Sequence, residues 1–132
     1  FSLKVDDDAN GRQFTLYGRI DRVDELDDGS LEIIDYKTGA TKTELKTEDK
    51  EQLLIYQLAA LEVFDAPVKR LSFQYLESGT QKSFLGAERD LQRVRRKVLD
   101  TIHEIERGEF VATPGVVCKF CDFREICEFR QF

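Results

Sequence analysis

The chain has 132 residues, 41% of them hydrophobic and 35% charged, and its 26 acidic against 20 basic residues leave a net charge of −6. That length supports one domain with a single core, and no apolar run approaches the roughly 20 residues of a membrane-spanning helix. With no secretory pattern and an acidic balance that argues against a free-standing, nonspecific nucleic-acid binder, the expectation is a soluble, cytoplasmic protein.

Phe1, Leu3 and Val5 alternate with Ser2, Lys4 and Asp6, which reads as a strand already under way at the first residue. No methionine occurs anywhere, so the chain reads as a C-terminal piece of a larger protein. Asp6 to Gly11 is a polar turn. Phe14, Leu16 and Ile20 then alternate with Thr15, Tyr17, Arg19 and Asp21. This predicts a strand with Asp21 on the face away from Phe14 and Leu16, unless Gly18 marks a bulge that re-aims it.

The runs Gly18–Asp24 and Leu31–Gly39 flank Asp27-Asp28-Gly29-Ser30, the signature of a tight reversal. A hairpin centred there pairs residues whose numbers sum to about 56–57. Asp21 then faces Asp35 or Tyr36, and alternation puts Asp35 and Lys37 on one side of the strand.

The polar loop Thr38–Lys46 leads into a helix capped by Thr47 or Asp49. Leu53, Leu54, Tyr56, Leu58, Leu61 and Phe64 carry its apolar spacing, and Asp65-Ala66-Pro67 stops it. Gln52 and Tyr56 lie one turn apart and share a face. Val68–Leu76 and Gln81–Leu85 form a second hairpin that extends the sheet and carries no evident chemistry. Glu88–Arg107 is a long helix with an apolar stripe of Leu91, Val94, Val98, Leu99, Ile102 and Ile105, ended by Gly108. Arg89, Arg93, Arg96 and Lys97 line another side, either as a solvated face or as contacts to phosphates. His103, the single histidine, reads as structural.

Two carboxylates from neighbouring strands, Asp21 and Asp35, are hard oxygen ligands of the kind Mg²⁺ or Mn²⁺ takes. Lys37 beside them can hold a water or stabilise developing negative charge. A surface hairpin could carry these charges simply solvated, but Ile33, Ile34 and Tyr36 suggest a buried strand, which should not carry Asp35 and Lys37 without a reason. Near the C-terminus, Cys118 and Cys121 are joined by Cys127. Three thiols at one end suit Zn²⁺ or an iron–sulphur cluster in a reducing compartment, and either needs a fourth ligand.

Gly18-x-x-Asp21-Arg22, Asp35-x-Lys37-Thr38-Gly39, Gln52-x-x-x-Tyr56 and Cys118-x-x-Cys121-x5-Cys127 occur in that order across nearly the whole chain. Together they resemble the RecB-like branch of the PD-(D/E)XK nuclease superfamily. The likeness is to its iron–sulphur-containing members at the C-termini of repair helicases and in stand-alone exonucleases. The resemblance implies an α/β, restriction-endonuclease-like core, with a mixed central β-sheet flanked by helices over residues 1–112 and a cysteine-rich segment over 113–132. It implies Mg²⁺- or Mn²⁺-dependent, exonuclease-type hydrolysis of DNA in repair or recombination, with a helicase domain or subunit as partner. In similar enzymes the residues matching Asp21, Asp35 and the backbone carbonyl of Tyr36 hold the metal. The residue matching Lys37 activates water, and those matching Gln52 and Tyr56 support the site. Cys118, Cys121 and Cys127 would share a [4Fe–4S] cluster with a fourth cysteine upstream of the first strand.

Two features of the family are missing: a histidine metal ligand on an upstream helix and that fourth cysteine. N-terminal truncation accounts for both, and allows the isolated chain to be inactive. Two rival expectations stand beside the enzyme. One is a non-catalytic DNA-binding module of the same fold. The other is a zinc-stabilised interaction domain.

Overall fold

The computed structural model describes residues 1–132. Its elements, in order, are strands β1 (Ser2–Asp7), β2 (Arg12–Tyr17), β3 (Arg22–Glu25) and β4 (Leu31–Lys37), helix α1 (Thr47–Val63), strands β5 (Val68–Tyr75) and β6 (Gln81–Phe84), and helix α2 (Glu88–Arg107). Contacts group residues 1–100 and 101–132 into two compact units. The first holds all the strands.

Strand β4 is the centre of a four-stranded mixed sheet in the order β3-β4-β5-β6. It runs antiparallel to β3 and parallel to β5, and β6 returns antiparallel to β5. Parallel neighbours need a long crossover, and α1 supplies it between β4 and β5. All five residues from Leu31 to Asp35 are buried, the charged Glu32 and Asp35 among them. The architecture is the expected mixed α/β core.

The β3–β4 hairpin has the register that its turn residues specify, Arg22 opposite Ile34 and Glu25 opposite Leu31. Leu26 and Ser30 close the loop, with the Leu26 N–H donating to the Ser30 carbonyl at 2.7 Å. Gly29 takes φ +79°, which a residue with a Cβ adopts only with strain.

One core lies between the sheet and the helices. Leu53, Ala59 and Ala60 of α1 are wholly buried, as are Ile33 of β4 and Leu71 of β5. Each large side chain so withdrawn contributes roughly 1.5–3 kcal/mol. Leu91 and Val94 close the core from α2. A side-chain clamp fixes the approach to that helix: Gln57 Nε2 donates to the Gly86 carbonyl at 3.1 Å, and Gln57 Oε1 accepts from the Gly86 N–H at 3.0 Å.

Several local expectations are corrected. The strand expected to run from Phe14 through Asp21 breaks after Tyr17, and β1 with β2 forms a separate two-stranded sheet. The break lies at Gly18, where a Cβ would stand 2.3 Å from the ring of Phe1. Asp21 therefore precedes β3 in a bend rather than lying within a strand. Helix α1 starts after Lys46, and Asp49 caps it from the third helical position, accepting the Lys46 N–H at 3.0 Å. Leu61 and Phe64 are not core residues; both are exposed, as is Ile105 near the end of α2.

Candidate active site

Extending the β3–β4 register by one residue sets Asp21 opposite Asp35. The antiparallel ladder stops there, and a side chain replaces it: Asp21 Oδ2 accepts the backbone N–H of Tyr36 at 3.1 Å. Arg22, next in sequence, donates to Asp24 at 2.7 Å and to the Tyr36 hydroxyl at 3.2 Å. Both contacts strengthen its hold on its proton, that to Asp24 the more.

Alternation along β4 points Asp35 and Lys37 the same way, and Lys37 Nζ lies 2.7 Å from Asp35 Oδ2. That contact is one of opposite charges without hydrogen-bond alignment, since Asp35 Oδ2 is buried and has no hydrogen-bond partner. Asp35 itself is only 3% exposed. A buried carboxylate oxygen without a donor is costly in an apolar setting, and it offers open lone pairs to a cation. The donor set of two carboxylates is what Mg²⁺ accepts, since that ion keeps waters and substrate oxygens in its remaining positions. The residues present therefore fit a hard divalent cation.

The lysine is held from the helix side. Its Nζ donates to Gln52 Oε1 at 2.9 Å, and Gln52 Nε2 donates to the Tyr56 hydroxyl at 2.7 Å. The one-turn spacing of Gln52 and Tyr56 on α1 makes this relay possible. The Tyr56 ring meets Phe1 edge to face at 5.7 Å, the same ring that requires glycine at position 18. An ammonium has three donors, so Lys37 has capacity beyond Asp35 and Gln52. Beside it opens a cavity of about 300 Å³, lined also by Lys42, Gln52, Phe73 and Tyr75.

The structure thus joins Asp35, Lys37, Gln52 and Tyr56 in one connected set, with Asp21 hydrogen-bonded to the neighbouring backbone. Phe73 was not singled out from sequence. It lies opposite Asp35 in the parallel β4–β5 register, and its ring centroid is 5.2 Å from Lys37 Nζ. Only the register of two strands far apart in the chain brings it there.

A profile of the PD-(D/E)XK nuclease superfamily matches residues 1–128. The chain belongs to that superfamily. Two curated relatives are each a subunit of an ATP-dependent helicase/deoxyribonuclease, from Thermoanaerobacter sp. (strain X514) and Thermoanaerobacter pseudethanolicus. Each is 48% identical over an alignment covering 43% of this chain and 6% of the relative. The chain therefore corresponds to a small part of those proteins' length.

Elsewhere in this nuclease-superfamily fold, the basic side of α2 is partly neutralised. Lys97 pairs with both oxygens of Glu51 at 2.7 Å, and Arg93 with Asp90 at 3.2 Å. In the second unit, Cys118, Cys121 and Cys127 line one apolar cavity of about 470 Å³. The backbone N–H groups of Gln131 and Gly115 hold the Cys118 thiol below its ordinary range. The three sulfurs supply soft donors suited to zinc or an iron–sulphur cluster, but as arranged no three metal-binding side chains close around one ion. No helix is long and apolar enough to cross a membrane.

Proposed function

We propose that this chain is a metal-dependent deoxyribonuclease domain of a DNA repair or recombination protein, working with a helicase domain or subunit and hydrolysing phosphodiester bonds in exonuclease fashion. The observation that carries the reading is the contact chain Asp35–Lys37–Gln52–Tyr56, which joins residues of two sequence motifs, with Lys37 and Gln52 lining one cavity. Superfamily membership and the relatives' names supply the reaction class and the helicase.

Asp21 and Asp35, with the backbone carbonyl of Tyr36, would hold Mg²⁺ or Mn²⁺. Such an ion, when bound, polarises a phosphoryl oxygen and makes water a nucleophile near neutral pH. Lys37, paired with Asp35, directs a remaining N–H toward the attacking water or the developing negative charge. Gln52 fixes the lysine's rotamer by accepting one of its protons, and Tyr56 fixes the amide. Cys118, Cys121 and Cys127 would bind a [4Fe–4S] cluster completed by a cysteine elsewhere in the protein, as a structural clasp with no part in the reaction. Residues 1–112 then form the nuclease core and residues 113–132 the cluster segment.

The test is Mn²⁺-dependent cleavage of end-labelled single-stranded and duplex DNA by this chain and by the helicase–nuclease polypeptide proposed to contain it. Cleavage lost in both Asp35→Ala and Lys37→Ala supports the reading. DNA binding without cleavage in the longer protein would show that the fold serves as a non-catalytic scaffold. Stoichiometric zinc with neither binding nor cleavage would make it an interaction domain.

A further inference from the structure

A second cavity, of about 280 Å³, opens between the first turns of α1 and α2. Its lining includes Thr47 and Lys50 from α1, Arg89, Asp90 and Arg93 from α2, and Phe84 from β6. Thr47 and Lys50 lie on one side of α1, whereas Glu48, Asp49 and Gln52, which border the Lys37 cavity, lie on the other. The two cavities therefore flank the same helical turn.

Three cations face one carboxylate here, in a chain whose net charge is −6. The carboxylate is already engaged twice: Asp90 Oδ1 pairs with Arg93 at 3.2 Å, and Oδ2 accepts the Ala87 N–H at 3.0 Å. Lys50 has no acidic partner, and its ammonium stands over the Phe84 ring at 5.4 Å from the centroid. Arg89 is exposed and makes no ion pair. Most basic residues nearby are spent on acids, as Lys97 is on Glu51 and Lys42 on Asp49. Uncommitted cations with a hydroxyl and an aromatic floor, in a concave site, suit a compact polar anion. A phosphodiester group presents two non-bridging oxygens, which share one negative charge, to such a fork.

We propose that the cavity between α1 and α2 binds a backbone phosphodiester of the substrate strand through Lys50, Arg89 and Arg93, across α1 from Lys37. The proposal rests on the nuclease reading for the identity of the strand. A helix is about 10–12 Å across with its side chains. At the roughly 3.4 Å rise of one strand, the second phosphate would then lie within about three nucleotides of the Lys37 patch. The contact carries no base information, so it fixes the strand's path and leaves sequence unread.

The experiment measures binding of a fluorescent single-stranded oligonucleotide in EDTA, across a range of salt concentrations, for this chain and for Lys50→Gln/Arg89→Gln. Because no metal is needed, the result is readable whether or not the protein cleaves. Arg95→Gln/Arg107→Gln removes the same charge from α2 outside the cavity and serves as the control. The expected result is weaker binding by the first variant, with the slope of log K against log salt shallower by about 0.7 for each phosphate no longer neutralised, and a clearly smaller change in the control. Equal slopes for the first variant and the wild type would overturn the proposal, as would equal effects from the two variants or no DNA binding by the wild type. Replacing chloride with inorganic phosphate at constant ionic strength separates a strand from a free anion. Weaker oligonucleotide binding in phosphate by the wild type but not by the variant supports the proposal, whereas a phosphate-induced rise in the Tm of the wild type alone, with oligonucleotide binding unchanged, would make this a free-anion site and overturn it. If the slope changes as expected but the longer helicase–nuclease polypeptide yields no cleavage with Mn²⁺, the nuclease reading fails and the phosphodiester site stands. A charge-reversing Arg89→Glu, checked for folding by thermal melting, must weaken binding further.

Discussion

Strand β4 carries two buried carboxylates three residues apart, and they are treated in opposite ways. Glu32 is 6% exposed and Asp35 3%. Glu32 Oε1 accepts from Ser72 at 2.6 Å and Gln81 at 3.0 Å, and Oε2 accepts from Arg70 at 2.9 Å. Every donor comes from β5 or β6, so this carboxylate ties three strands together. Asp35, pointing to the other face, keeps an oxygen with no hydrogen bond and a lysine that is itself shared with Gln52. Burial alone does not distinguish a structural acid from a functional one. Saturation of the lone pairs does: a satisfied carboxylate has nothing left to bind, and an unsatisfied one is held ready for a cation.

The sharpest way to break this contrast is Asp35→Asn. It keeps the shape and removes the charge, so Mn²⁺-dependent cleavage should fall by about 10³-fold or more, the equivalent of several kcal/mol of lost transition-state stabilisation. Stability, read from urea unfolding, should stay within about 1 kcal/mol. Next comes Glu32→Ala, which should lower unfolding free energy by about 2–4 kcal/mol, because it strips the acceptor from three donors. Cleavage per folded molecule should change little. If the two variants exchanged these outcomes, the contrast between the acids would collapse. Gln52→Ala should cost about tenfold in kcat, since it frees the lysine without removing it, and Tyr56→Phe less, in line with roughly 1 kcal/mol for one neutral hydrogen bond. The smallest effect concerns two further acids, which lie outside the contrast. Asp28, held mainly by Lys69 and then Ser30, and Asp49, held mainly by Lys42 and then the Lys46 N–H, both sit below the usual carboxylate range. A depressed folded value stabilises the protein above the unfolded value of about 4, and that contribution is lost as pH falls further. Asp28→Asn/Asp49→Asn should therefore flatten the acid side of a Tm–pH profile, and salt should shrink the difference.

The β3–β4 hairpin was legible because its turn residues are local. Asp28-Gly29 fixes the loop, the loop fixes the register, and the register sets Asp21 opposite Asp35. The Gln52–Tyr56 pair was legible for the same reason, being set by helical spacing alone. The break at Gly18 was not, because the obstacle is the Phe1 ring, which no alternation pattern reports. Nor was the Glu32 network, since Val68–Phe84 gave no sign of chemistry until the parallel register placed Arg70 and Ser72 beside β4. Leu61, on the same helical face as buried Leu54 and Leu58, and Phe64, just past the last residue of α1, kept helical spacing yet are exposed near the C-terminal end of the helix. The mixed sheet came through likeness to a nuclease family, and its register awaited the structure.

The crossover from β4 through α1 to β5 also bears on how the molecule assembles. Lys37 meets Gln52 over 15 residues of chain, and Asp21 meets Tyr36 over 15 as well. The links from Glu32 to Ser72 and Gln81 span 40 and 49. Closing a loop of about 40 rather than 15 residues costs about 0.9 kcal/mol more in chain entropy. The groups of the candidate site are thus joined by the more local contacts, and contacts of low sequence separation favour early formation. The candidate site can take shape while the sheet behind it is still incomplete.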